Sequence, residues 1–134
     1  IEHVALLLAR APPGAWRIVA SHHPLVARDA EDRDHRPHRA DEAVERWRIA
    51  GAQMLLSGHV HQPRLLQPLP GLWASSAGTA VRTAVPAAGS PNSLVVLSTE
   101  ASGDALDGQA RVAARWDYDG AVGEFVCVDR VSAG

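Results

Sequence analysis

Cysteine is almost absent from this sequence, which carries one, Cys127, among its 134 residues. An internal disulfide is therefore excluded, and a zinc site built from thiolates is not expected. Cys127 lies in the alternating stretch EFVCVDR, where a free cysteine is expected to pack as a small core residue. A metal centre in this chain would have to rely mainly on histidine or carboxylate ligands.

Lysine is missing altogether, so arginine supplies all 13 basic side chains. Together with the many alanines, this composition is typical of a high-GC bacterial genome. The net charge of -2 gives no strongly basic surface, which argues against nucleic acid and anionic membranes as partners. No apolar run approaches the ~18–20 residues of a membrane span, and no signal-peptide pattern is present. We therefore expect a cytoplasmic protein that forms a single domain over residues 1–134.

The first part of the sequence alternates between helix and strand patterns. IEHVALLLAR has the apolar spacing of an amphipathic helix that APPG ends, and WRIVAS is typical of a short buried strand. Helical spacing returns from Ala40 to Ala50, and AQMLLSG then predicts a second strand. Residues 27–39 between them are almost wholly charged and are expected to form a solvated loop. Alternatively, this loop overhangs a substrate groove and offers its arginines to phosphate.

The remainder of the sequence is rich in strand patterns. RLLQPL, GLWASSAG and NSLVVLS are short apolar runs separated by proline, glycine and serine. ARVAARWDYD followed by EFVCVDR predicts a terminal antiparallel hairpin. This order of elements predicts an α/β fold that continues into antiparallel strands.

Two histidine pairs follow the two strands predicted in the first part. His22 and His23 come after WRIVAS, and His59 and His61 come after AQMLLSG. The strands of a strand–helix–strand unit are usually parallel and adjacent, so both pairs should emerge at one carboxyl edge, where open sheets bind ligands. Imidazole is a good ligand for Zn, Fe, Mn or Ni. Either pair alone is typical of surface histidines, but the combination predicts a metal site.

The segments IVASHHPL and AGAQMLLSGHVHQP resemble the last two metal-binding motifs of the calcineurin-like metallophosphoesterases. SSAGTA and PNSLVVL are similar to the strands that follow in bacterial phosphodiesterase members, so the resemblance covers roughly residues 1–128. It implies an α+β sandwich of two β-sheets flanked by helices, and a hydrolase that acts on phosphoester bonds. It also implies two divalent transition metal ions (Mn, Fe or Zn) and a small phosphoester substrate, with nucleotides among the candidates.

The resemblance further implies a role for each histidine of the two pairs. His22 and His59 would share one ion, and His61 would bind the other, because the loop around the pair lets the two side chains splay toward different ions. His23 would be the catalytic histidine, facing the substrate or supporting a metal ligand from outside, with direct ligation of the metal as the less favoured alternative.

Four other polar residues have two interpretations each. Thr79 and Asn92 are candidates for the substrate pocket, but turn residues that bond the local backbone have the same composition. His35 and His38 lie in the charged loop and are expected to be solvated, the alternative being a histidine beside a phosphate pocket.

The family's Asp-x-His and Gly-Asn-His motifs do not occur in the sequence, and its single Gly-Asp, Gly103-Asp104, follows the histidine motifs, whereas the family's motifs precede them. They belong to the N-terminal half of the family's fold, so the chain resembles the C-terminal portion of a metallophosphoesterase domain, with the N-terminal half as its implied partner. Two dications ~3.5–4 Å apart need carboxylate charge that three neutral imidazoles do not supply. We expect this chain alone to bind at most one ion, weakly, and to be inactive.

Two alternatives to a phosphoesterase remain open. A degenerate member of the family would serve as a non-catalytic binding or scaffold module and keep its histidines as remnants. A mononuclear zinc hydrolase with three histidine ligands would need no carboxylate.

Overall fold

The structure, a computed structural model, describes residues 1–28, 33–79, 90–101 and 109–133. The order of elements predicted from the sequence is confirmed. Within the described ranges the elements are α1 (Glu2–Ala9), β1 (Ile18–Ala20), α2 (Ala40–Ile49), β2 (Met54–Ser57), β3 (Arg64–Leu69), β4 (Leu72–Ser76), β5 (Ser93–Ala101), β6 (Gln109–Asp119) and β7 (Glu124–Ala133). Neither of these helices is long and apolar enough to cross a membrane.

The first sheet has the strand order β1-β2-β4-β3. β1 and β2 are parallel, with Ile18 opposite Met54 and Ala20 opposite Leu56. β4 lies parallel to β2 on its other side, and β3 returns antiparallel to β4. The parallel pairing predicted for the first two strands is therefore confirmed, and the segments that follow them leave the sheet at the same edge.

One face of the first sheet is covered by the two helices. Successive residues of a strand point to opposite faces, so Leu55, Leu72 and Ala74 share the helix-facing side. Leu72 has no exposed surface at all. The buried residues of this core are Ala5, Leu8, Leu25, Ala40, Ala43, Val44, Trp47, Ala52, Leu55, Leu72 and Ala74.

The other face of the first sheet packs against the second sheet, whose strand order is β5-β6-β7. All pairings in the second sheet are antiparallel, which confirms the predicted terminal hairpin. Met54 and Leu65 of the first sheet are buried with Ala113 of the second. Two sheets packed face to face with a helical layer form the α+β sandwich that the resemblance implies.

The expectation that Cys127 packs in the core is wrong. It lies on β7 and is exposed, and its thiol is 3.6 Å from the Asp129 carbonyl oxygen. The alternating pattern of β7 indicates two faces but not which one meets the other sheet, and half-buried Val126 lies on the opposite face from its neighbour.

β1 is an edge strand in the described part of the chain, since only β2 pairs with it there. Ile18 of β1 is 37% exposed, and Leu7 of α1, which borders the same apolar groove, is 57% exposed. In the described part of the chain, the first sheet therefore ends in an open, largely apolar edge at β1, the strand that His22 and His23 follow.

Candidate metal centre

The loop that follows β2 has a strained backbone. His59 and His61 have positive φ angles of 67° and 54°, a conformation that residues other than glycine rarely adopt. The Val60 amide donates to the Gly58 carbonyl at 2.8 Å, which places His59 at the centre of a γ-turn of the rare positive-φ kind. Strain of this type persists only where the surroundings over-determine it, and it is concentrated at ligand sites.

The loop that follows β1 is bonded to this strained turn through the backbone. The Ser21 amide donates to the Leu56 carbonyl at 2.9 Å, and the Gly58 amide donates to the His22 carbonyl at 3.1 Å. The Ser21 hydroxyl also donates to the His23 carbonyl at 2.9 Å. These bonds extend the pairing of β1 and β2 beyond the sheet and hold the two histidine segments side by side.

Three histidines from the two loops converge at this edge. The ligand nitrogens of His22, His23 and His59 all lie within 4.8 Å of one another. His59 Nδ1 is 3.1 Å from His22 Nε2, and the ring centroids of His23 and His59 are 4.1 Å apart. Among the residues that the structure describes, this group includes no carboxylate. The three side chains are here called the histidine group.

The pKa of His59 is lowered from its ordinary value of 6.5. Desolvation by partial burial is the main cause, followed by repulsion from His23 and His22 when those rings are charged. A lowered pKa favours the neutral imidazole, which is the form that offers a lone pair to a metal ion. The electrostatics of the edge thus favour the ligand form of His59.

A fourth histidine reaches the group from the charged loop. The ring centroids of His35 and His59 are 5.3 Å apart, and the main-chain oxygen of His35 is 3.2 Å from Nδ1 of His23. His35 is exposed, as the sequence predicts, but it is not merely solvated. No sequence pattern identifies it, because its position depends on the path of the loop and not on any spacing from the other histidines.

The charged loop is fixed to the helical layer by its arginines. The Arg36 guanidinium donates from Nε to the Leu25 carbonyl at 2.9 Å and forms an ion pair with Asp41 of α2. Arg39 forms a bidentate ion pair with Glu42. Both arginines are paired within the chain. They therefore do not support the alternative in which the arginines of this loop bind phosphate. Residues 29–32 of the same loop lie outside the described residues.

The other predicted site residues lie outside the histidine group. His61 is exposed and is not among the three nitrogens that converge, so its binding of a second ion stays a prediction. Thr79 donates its hydroxyl to the Asn92 side-chain oxygen at 3.0 Å, and its carbonyl accepts from the Ser93 amide at 2.9 Å. These bonds join the segment after β4 to the start of β5 and give both residues a structural role; a contact with substrate stays a prediction.

The histidine group fits a single zinc-like ion. A tetrahedron with Zn–N bonds of about 2.0–2.1 Å has N–N edges of roughly 3.3–3.4 Å, close to the 3.1 Å between His59 and His22. Three neutral imidazoles form a ligand set that zinc enzymes use, with one position left open. A pair of dications does not fit this group alone, because the described group brings no negative charge.

Comparison with solved structures identifies the fold. The chain is similar to Vacuolar Protein Sorting 29 from Cryptosporidium parvum, with a TM-score of 0.54 and 22% identity. It is also similar to Vps29 from Entamoeba histolytica, solved with Zn²⁺, with a TM-score of 0.50 and 17% identity. These matches cover 91% and 86% of this chain. The chain therefore has part of a Vps29-like fold, the α+β sandwich of two sheets and a helical layer described above.

The chain spans about half of each of these structures, 55% of the Cryptosporidium protein and 53% of the Entamoeba protein. No protein-family model matches the sequence, and no curated protein is significantly similar to it.

Proposed function

We propose that this chain supplies the histidine ligands of a metal-dependent phosphoesterase that hydrolyses a phosphodiester or phosphomonoester. The convergence of His22, His23 and His59 at the carboxyl edge of parallel strands carries this proposal. The fold supports it, and so does the zinc in the Entamoeba structure of the same fold. We further propose a cytoplasmic protein whose substrate is a small phosphoester such as a nucleotide.

We assign two roles to the residues of this edge, binding the metal ion and contacting the substrate. His22 and His59 have two ring nitrogens 3.1 Å apart and would hold the ion. When bound, a divalent ion supplies Lewis-acid polarisation of a phosphoryl oxygen. His35 is exposed beside His59, where a ring N–H can donate a hydrogen bond to a phosphate oxygen.

A second ion requires ligands from outside the described residues. The three nitrogen ligands favour Zn or Fe over Mg or Ca, which prefer oxygen donors, whereas Mn would need oxygen ligands from outside the group. Carboxylates brought by another part of the protein would add the charge that two ions need. This is the division that the resemblance implies: the chain contributes histidines, and the other half of the domain contributes acids.

A non-catalytic scaffold is the second candidate function. The absence of a carboxylate from the described histidine group favours it, because such a group binds one ion without building a dinuclear centre. The similarity of the fold to a protein named for vacuolar sorting supports it as well. The two candidates share the metal site and differ in whether turnover occurs.

Zinc titration of the chain tests the metal site. We expect His59→Ala to weaken zinc binding by more than about 100-fold in calorimetry, since loss of an outer partner alone typically costs 10–100-fold. His3→Ala is the matched control, because His3 is an exposed histidine on α1 and should bind nothing. Equal zinc affinity in wild type and His59→Ala would overturn the proposal.

Hydrolysis of bis-p-nitrophenyl phosphate separates the enzyme from the scaffold. The protein expressed in full from its coding sequence should show turnover with Mn²⁺ or Zn²⁺ that His59→Ala abolishes. The 134-residue chain alone should bind metal and remain inactive. Zinc binding by the full protein with no turnover would decide for the scaffold, and robust turnover by the chain alone would contradict the need for outside carboxylates.

A further inference from the structure

We propose that His23 is the third metal ligand of this chain, binding through Nε2, and that the main-chain carbonyl of His35 sets its tautomer. The proposal rests on the metal centre proposed above and gives His23 a role other than facing the substrate. It also makes the segment from residue 33 to residue 41 part of the metal site.

The contact between His35 and His23 determines which ring nitrogen is available. The His35 carbonyl oxygen lies 3.2 Å from Nδ1 of His23, and a carbonyl can only accept a hydrogen bond. Nδ1 must therefore carry the hydrogen, which leaves the lone pair of the neutral ring on Nε2. Metal-bound histidines almost always donate their other ring N–H to a carbonyl or carboxylate in this way, which fixes the ring and raises its basicity.

The geometry favours His23 over His61 as the third ligand. His23 belongs to the group whose ligand nitrogens lie within 4.8 Å of one another, and His61 does not. The His23 ring also lies 5.0 Å from His22 and 4.1 Å from His59, so one ion can be reached from all three rings. The Ser21 hydroxyl bond to the His23 carbonyl holds the backbone of this residue as well.

Arg36 holds the carbonyl of its neighbour His35 in place. Its guanidinium is bonded on one side to the Leu25 carbonyl and on the other to Asp41, and its side chain is only 15% exposed. Arg36 thereby connects Leu25, two residues after the histidine pair, to Asp41 at the start of α2. Arg36 is a positioning residue in this proposal: it contacts no ligand and acts on His23 through the His35 carbonyl.

Ring-nitrogen NMR of the zinc-titrated chain tests the tautomer directly. With ¹⁵N-labelled histidine, we expect zinc to shift Nε2 of His23 while Nδ1 keeps its hydrogen. A purely structural role for the His35 contact would leave both His23 nitrogens unchanged by zinc. An Nε2–H tautomer in the zinc-bound chain would overturn the proposal.

Three substitutions separate the parts of the arrangement. His23→Ala should weaken zinc binding by roughly 100-fold, and Arg36→Ala by about 10-fold, within the 10–100-fold range of outer-partner losses. His35→Ala removes the imidazole and keeps the carbonyl, so the zinc affinity and the tautomer should be unchanged. Arg48→Ala is the control for Arg36, because Arg48 pairs with Glu45 on the exposed face of α2.

The outcomes distinguish this inference from the proposed metal centre. If zinc binding depends on His22 and His59 but His23→Ala has no effect, only the inference fails. If His35→Ala weakens binding as much as His23→Ala, the His35 imidazole is the ligand and the inference is wrong. If none of these histidines affects zinc binding, the metal centre itself fails. Should Arg36→Ala not fold, the NMR result on the wild-type chain still decides.

Discussion

The helical surface and the histidine edge differ in whether their ionisable side chains have partners of opposite charge. On the helices, acids face arginines in the ion pairs Glu2–Arg46, Asp41–Arg36, Glu42–Arg39 and Glu45–Arg48. At the edge, four imidazoles lie together, and the described histidine group brings no carboxylate. On the helical surface, acids and arginines neutralise one another. At the edge, the imidazoles have no acidic partner in the described group, so a bound cation or an acid from elsewhere in the protein would have to interact with them.

The shifted pKa values carry the same contrast. The pKa of Glu42 is lowered because it accepts hydrogen bonds from Arg39, so the folded state favours its charged form. The pKa of His59 is lowered mainly by desolvation and then by repulsion from His23, so the folded state disfavours its charged form. A lowered pKa therefore has opposite meanings in the two regions. For the glutamate it reflects attraction to an arginine, and for the histidine it reflects desolvation and repulsion, here called frustration.

Leu72→Ala gives the largest effect and shows that the helical side determines stability. Leu72 is completely buried between the first sheet and the helices, and truncation of such a leucine typically costs about 2–5 kcal/mol of unfolding free energy. Urea unfolding of the metal-free chain measures this loss. Leu7→Ala, on the exposed side of α1, should change it by less than about 0.5 kcal/mol. Comparable losses in both variants would contradict the placement of the core.

The fold of this chain was predictable from its sequence to a large extent. The 3.6-residue spacing of α2 and the short apolar runs that became β1 and β2 give the type and order of these elements. A parallel pairing then follows, because strand–helix–strand units rarely connect otherwise. The exposure of Cys127 was not predictable, since alternation indicates two faces of a strand without saying which one is covered.

The candidate site was predictable only in part. The sequence brings both histidine pairs to one edge, because each pair follows a strand of the same parallel pair. The selection of His23 over His61 for the group depends on backbone angles in the turn after β2, which sequence spacing does not encode. For His35 the sequence left two interpretations, a solvated residue or one beside a pocket, because its approach depends on Arg36 and the carbonyl of Leu25, a contact between residues eleven positions apart.

His61→Gly separates strain from metal binding at the edge. A non-glycine residue in the left-handed conformation costs roughly 1–2 kcal/mol, and glycine adopts it freely, so the substitution should stabilise the metal-free chain by about 1 kcal/mol. Zinc affinity should stay within about twofold of wild type. Gly71 already occupies such a conformation, and Gly71→Ala is the matched reverse change that should destabilise. A marked loss of zinc affinity in His61→Gly would instead make His61 a ligand, as the family resemblance implies.

The pH dependence of stability gives the smallest and most specific effect. Above pH 6.5, His59 is neutral in both the folded and unfolded chain and contributes no slope. As the pH falls through 6.5, the unfolded chain binds a proton at His59 that the folded chain resists, because its folded pKa is lowered. The unfolding free energy should therefore decrease with falling pH until the folded pKa is passed. Urea midpoints between pH 8 and pH 5, with EDTA present, measure this decrease.

The same titration with His59→Ala isolates the frustrated histidine from the paired acids. The variant should show a flatter profile than wild type between pH 6.5 and pH 5. Glu42 and the other paired acids contribute their stability above about pH 4.5 and lose it only below, so they do not enter this window. A wild-type slope in His59→Ala would place the proton-linked strain outside the histidine edge. Saturating zinc in place of EDTA should steepen the wild-type slope, because a metal-bound His59 takes up no proton in the folded chain, and it should change the slope of His59→Ala less.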